Sequence, residues 1–133
     1  MLTENDVITA VCNYLKCNNY SITKSSTTKE KGIDIDALSP NGERLCIEAK
    51  GGTSARPTSS RYNLGFNDTQ AFDHVAKATY TALKTREKYD CDVALAFPSD
   101  KNHKKYADLI KNTLKNLDIT VYWVDENKNV TVQ

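Results

Sequence analysis

Apolar positions recur along the chain with two distinct periods, and each change of period marks an element. After Thr3-Glu4-Asn5-Asp6, which has the form of a helix-initiating box, Val7, Ile8, Val11, Tyr14 and Leu15 follow at helical spacing. They predict an amphipathic helix that ends near Cys17. Residues 20–24 read as a first strand. Residues 33–38 and 44–50 are short, partly β-branched runs bounded by glycine and proline, the signature of two further strands. Between them Ser39-Pro40-Asn41-Gly42-Glu43 predicts a tight turn: Pro40 pre-sets φ, and Gly42 can take the left-handed conformation that closes a bulged hairpin loop.

That turn implies a register. If Ser39 pairs with Glu43, counting outward sets Asp34 opposite Glu48. Side chains alternate faces along a strand. Asp34, Asp36, Glu48 and Lys50 then share one face, and Ile33, Ile35, Ile47 and Ala49 the other. Facing carboxylates destabilise a sheet unless they are solvated or share a cation. The same alternation also fits a half-exposed strand with a solvated acidic face.

Helical spacing returns at residues 69–89, capped by Asn67 or Asp68, with Phe72, Val75, Ala76, Thr79 and Leu83 as the predicted inward stripe. Gln70, His74, Lys77 and Thr81 lie on a neighbouring stripe. Residues 91–97 are nearly all apolar and read as a central strand covered on both faces. A helix follows, starting at Ser99-Asp100, with Tyr106, Leu109, Ile110, Leu114 and Leu117 as its stripe. Residues 119–124 form the next strand and 130–132 a short edge strand. Strand, helix and strand in that order predict a right-handed crossover and parallel pairing. The sum is an α/β sandwich with a mixed sheet.

Composition narrows the picture in four ways. At 133 residues, without repeats or low-complexity segments, the chain reads as a single domain able to bury its own core. The absence of a long apolar run or a leader-like N-terminus predicts a cytoplasmic protein with no membrane partner. The four cysteines, Cys12, Cys17, Cys46 and Cys91, lack zinc-site or redox spacing and read as free thiols. A formal net charge of +1 provides no whole-molecule attraction for nucleic acid, so any such binding must come from local clusters of Lys and Arg. Lys101, His103, Lys104 and Lys105 form one basic cluster, and a solvated charged face is the plainer reading of it. Residues 51–68 lack periodicity; Arg56 and Arg61 could meet a phosphate backbone there and Tyr62 or Phe66 stack on a base, while a loop whose aromatics only anchor it to the core fits the sequence equally well.

The chemistry concentrates between Gly32 and Gly52. Two facing acids could hold Mg²⁺, which takes hard oxygen ligands from one or two carboxylates and leaves room for water and phosphate. Gly32-x-Asp34, a hairpin, then Glu48-Ala49-Lys50 and Gly51-Gly52 resembles the PD-(D/E)xK nucleases, the restriction-endonuclease-like superfamily that includes Holliday-junction resolvases. IEAKGGTS followed by QAFDHVAKA is similar to small stand-alone bacterial members. Ile33 stands where the family name implies proline. The resemblance implies a restriction-endonuclease-like three-layer sandwich, with a central mixed β-sheet flanked by helices. It implies Asp34 and Glu48 as metal ligands, the Ala49 carbonyl as a further one, Lys50 as the group that assists attacking water, and Mg²⁺, with Mn²⁺ able to substitute.

Asp36 is a candidate second-metal ligand. Glu4 is a candidate third carboxylate, with Asp6 behind it, although both also suit a helix N-terminus. Gln70 is the candidate that completes the catalytic set. His74 and Lys77 are candidate nucleic-acid contacts, and His74 is also a candidate base. The implied activity is metal-dependent phosphodiester hydrolysis on DNA, in restriction, defence or repair, with a homodimer required for cleavage of both strands. The alternative is a non-catalytic nucleic-acid-binding module of the same architecture.

Overall fold

A computed structural model of the chain describes residues 1–25, 32–53 and 67–133. Helix α1 (Glu4–Cys17) is followed by strands β1 (Ser21–Ser25), β2 (Ile35–Leu38) and β3 (Arg44–Ala49), then by helix α2 (Asp68–Tyr89) and strand β4 (Asp92–Pro98). Helices α3 (Lys101–Leu109) and α4 (Lys111–Asn116) lead to strands β5 (Thr120–Val124) and β6 (Val130–Val132). The strands form one six-stranded mixed sheet in the order β1-β2-β3-β4-β5-β6. The β3–β4 and β4–β5 pairs are parallel, the second as the strand–helix–strand order predicts, and the other pairs are antiparallel.

The hairpin register follows from its loop. Ser39 N–H donates to the Glu43 carbonyl at 2.8 Å and Gly42 N–H to the Ser39 carbonyl at 2.9 Å, with Gly42 at φ +81°. A left-handed residue costs glycine nothing there. Ile35 consequently pairs with Ile47, and Leu38 with Arg44.

Both faces of the sheet are covered. Ile35, Ala37, Leu45, Ile47, Ala49, Ala94 and Ala96 pack with Val7, Ile8, Val11 and Leu15 of α1. The opposite side chains, Cys46, Val93, Leu95, Phe97, Val121 and Trp123, pack with Val75, Ala78 and Ala82 of α2 and Ala107 of α3. The strand face that carries Glu48 is therefore an interior one, against the alternative of a solvated acidic face, and Glu48 is only 8% exposed upon it.

Three patterning expectations are corrected. Helix α2 turns Ala71, Val75, Ala78, Ala82 and Thr85 inward, so of the predicted stripe only Val75 is fully buried. Small residues let the helix lie against the sheet, while Phe72, 51% exposed, packs edge-on against Tyr106. The helix expected from Asp100 to beyond Leu114 is divided at Ile110, whose backbone (φ −118°, ψ 11°) leaves helical geometry, so Leu109 is 77% exposed. Ile33 packs with the α2 and α3 cluster, away from Ile35, because the regular pleat begins only at Ile35, after Gly32 at φ +117°.

Candidate active site

The residues that carry chemistry meet where β3 ends. Asp34 lies one register step beyond the Ile35–Ile47 pair, which sets it opposite Glu48. Its Oδ2 accepts a hydrogen bond from the Ala49 N–H at 2.8 Å, so the strand backbone holds the carboxyl in place. The Asp34 and Glu48 carboxyl groups lie close enough that each shifts the other's ionisation, so the two titrate as a pair.

Burial is the first cause that raises the Glu48 carboxyl, followed by the Asp34 charge and the hydrogen bond to Asp34; Lys50 opposes the rise and Glu4 adds to it. The result is a Glu48 pushed up to about 8. Asp34 is raised as well, again by burial first, against the lowering effects of the Ala49 N–H, Glu48 and Lys50. A positive charge placed beside two such acids would lower both.

Glu4 joins this group because of a close backbone crossing. Gly51 passes directly beneath the start of α1: a Cβ on it would stand 2.3 Å from the Glu4 nitrogen and 2.7 Å from the Thr3 carbonyl carbon. Gly52 N–H then donates to the Leu2 carbonyl at 2.7 Å. The helix terminus is capped by Thr3 and Asp6, each side chain accepting from the other's backbone N–H. Glu4 is thus left to face the strand end, where burial, then the Asp34 charge, raises its carboxyl against the lowering effect of Lys50. Both acids lie in the first turn, as expected, and it is Asp6 that closes the capping box.

The other predicted residues are placed as follows. Asp36 accepts a two-pronged interaction from Arg44, Nε to Oδ1 at 3.1 Å and Nη2 to Oδ2 at 2.7 Å, which engages both its oxygens toward the hairpin tip. The Gln70 Oε1 accepts from the Asn67 N–H at 2.9 Å and Asn67 Oδ1 accepts from the Gln70 N–H, a capping box that starts α2. His74 lies on the interior edge of α2, and Lys77, on the same helix, is exposed. Arg56, Arg61, Tyr62 and Phe66 lie outside the described residues. The basic cluster at the start of α3 is dispersed. Lys105 pairs with Asp68 at 2.7 Å, Lys104 lies over the Trp123 ring at 5.2 Å, and His103 is buried.

His103 is the residue that sequence reasoning missed. Its Nδ1 stands 2.8 Å from both oxygens of Asp100, the N-cap of α3, and its Nε2 stands 3.0 Å from His74 Nδ1. Burial first, then His103, Lys50 and Lys77, push His74 down to about 4, with Asp100 acting in the opposite direction. His74 is therefore neutral near pH 7 and lies within the field of Lys50. A signal was present: Asp100 followed three residues later by His103 is an N-cap spacing, and the chain contains only two histidines.

Among the described residues, no group of three or more His, Cys, Asp or Glu side chains is arranged to hold a metal ion. The donor set at the strand end is smaller: two carboxyls in mutual contact and a third within electrostatic range. That suits a cation such as Mg²⁺, which binds through one or two carboxylates and fills its remaining positions with water and phosphate. No helix among the described residues is long and apolar enough to cross a membrane. Compared with protein-family models, curated proteins and solved structures, the chain gives no match.

Proposed function

We propose that this chain is a metal-dependent phosphodiesterase acting on DNA, with a restriction-endonuclease-like fold and its active centre at Asp34, Glu48 and Lys50. The observation that carries the reading is a half-buried Asp34, fixed by the Ala49 N–H, beside a buried Glu48 at the strand end that also carries Lys50. A protein gains no stability from that arrangement, since burial penalises each charge and neighbouring like charges penalise each other. It becomes favourable when a divalent cation is there to be bound.

Asp34 and Glu48 would hold Mg²⁺, with Glu4 at the edge of the site. When bound, the ion supplies Lewis acidity that polarises a phosphate oxygen and acidifies water. The Ala49 N–H fixes the Asp34 carboxylate, so the ligand is pre-oriented. Lys50, half-buried at the end of β3, directs its ammonium charge at the same pocket and offsets negative charge developing on phosphorus. The strand end lies at the carboxyl edge of two parallel pairs, where open α/β sheets tend to place their ligands.

Plasmid and linear DNA incubated with the protein in Mg²⁺ or Mn²⁺ test the reading. Cleavage that disappears in Lys50→Ala, with the circular dichroism spectrum unchanged, is the expected result. DNA binding without cleavage under either metal would replace the hydrolase by a recognition module of similar architecture. Neither binding nor cleavage would remove nucleic acid from the account.

A further inference from the structure

The two histidines form a hydrogen-bonded chain that ends on a carboxylate. His103 is 1% exposed, and its ring stacks on Phe97 with centroids 5.8 Å apart. Its Nδ1 is 2.8 Å from each Asp100 oxygen, and its Nε2 is 3.0 Å from His74 Nδ1. Burial raises Asp100, but the hydrogen bonds from the His103 ring and backbone outweigh it, so the carboxyl ionises more readily than usual.

A carboxylate accepts hydrogen bonds and cannot donate them, so the hydrogen between Asp100 and His103 sits on His103 Nδ1. A neutral imidazole bearing hydrogen on Nδ1 presents a bare Nε2. The bond to His74 then exists only if His74 Nδ1 is the donor, which puts the His74 lone pair on Nε2. We infer that Asp100 and His103 are positioning residues that lock His74 as its Nδ1–H tautomer, making its Nε2 an acceptor that orients the attacking water and not a donor to phosphate.

The tautomer follows from the geometry with His103 as a neutral imidazole; its use on water rests on the hydrolase reading. The logic is that of a carboxylate that selects the tautomer and orientation of a catalytic imidazole, here acting through an intermediate ring. It also reassigns His74 within the candidate set, because a ring with a bare Nε2 cannot donate to a backbone phosphate through that atom.

Long-range ¹H–¹⁵N spectra of the imidazole rings at neutral pH test the tautomer directly, without substrate or metal. The expected result is hydrogen on Nδ1 and a bare Nε2 in both rings. A His103 imidazolium, or a His74 bearing hydrogen on Nε2, overturns the inference. His103→Phe keeps the stack on Phe97 but has no acceptor, and Asp100→Asn keeps the helix cap but can offer its amide hydrogen to His103 Nδ1. Both should move His74 toward the Nε2–H form. His103→Gln, which can present a carbonyl oxygen near the old Nε2, should restore the native tautomer.

In the cleavage assay the first two variants should lower kcat about tenfold or more with KM little changed. Unchanged kcat in a variant whose His74 spectrum has shifted refutes the catalytic use and leaves the tautomer standing. Cleavage absent from the unmodified protein refutes the hydrolase reading, while the spectra still decide the tautomer.

Discussion

Glu48→Gln should make the protein more stable above neutral pH, and the size of the effect can be worked from the site. A carboxyl raised from 4.5 to about 8 holds its proton more tightly folded than unfolded. Between those two values the native state binds more protons, so stability falls as pH rises. At about 1.4 kcal/mol per pKa unit the full span is worth roughly 5 kcal/mol as a ceiling. His74 works with the opposite sign: pushed down to about 4, it adds stability as pH rises from there to its unfolded value of 6.5. The two effects partly cancel at acidic pH and separate above 6.5, where His74 adds back only about 0.4 kcal/mol as its half-protonated unfolded form loses the last of its charge.

Between about pH 6.5 and 8.5 Glu48 alone should therefore remove roughly 2 kcal/mol. Glutamine keeps the shape and cannot ionise, so the variant should lose none of that amount. Urea unfolding at the two pH values, followed by circular dichroism, measures the difference. At an m-value near 2 kcal/mol per molar the wild-type midpoint should fall by about 1 M while that of Glu48→Gln holds. Parallel pH profiles for the two proteins would refute the claim that Glu48 is the strained acid. Mg²⁺ added at the higher pH should restore the wild-type midpoint and leave that of the variant unmoved.

Two further substitutions probe the surroundings. Gly51→Ala would put a methyl group 2.3 Å from the Glu4 nitrogen, where only backbone can yield; a loss of about 2–4 kcal/mol is expected by thermal unfolding, with cleavage reduced because Glu4 is displaced, and a neutral result would contradict the crossing. Asp36→Asn should leave cleavage within about twofold and cost about 1 kcal/mol or less, since Asp36 binds a partly exposed Arg44; loss of turnover with Mg²⁺ affinity halved would instead make it a second-metal ligand.

The first half of the fold was legible because its signals are local. The cap at Thr3, the five-residue turn and the alternation of Ile35 and Ile47 each depend on neighbours in the chain, and together they placed Asp34 against Glu48. What the sequence concealed depends on distant partners. The α2 face was misread because large apolar residues stand out in a periodic pattern, whereas the helix seats itself through alanines, and Phe72 is satisfied by Tyr106. Glu4 looked like a helix-end charge until the glycines after Lys50 brought the strand end beneath it. His103 looked like part of a basic surface because its neighbours are lysines, and its burial comes from contact with Phe97 and His74.

The alanine seat of α2 has a mechanical consequence. A methyl group has no rotamers, so a layer built from Ala71, Ala78 and Ala82 cannot absorb an added carbon by turning a side chain aside. Any such addition must lift or slide the whole rod, and the imidazole riding on it travels with the backbone. The tolerance on where that ring sits is consequently set by the smallest side chains in the molecule, some of them more than a helical turn away from it.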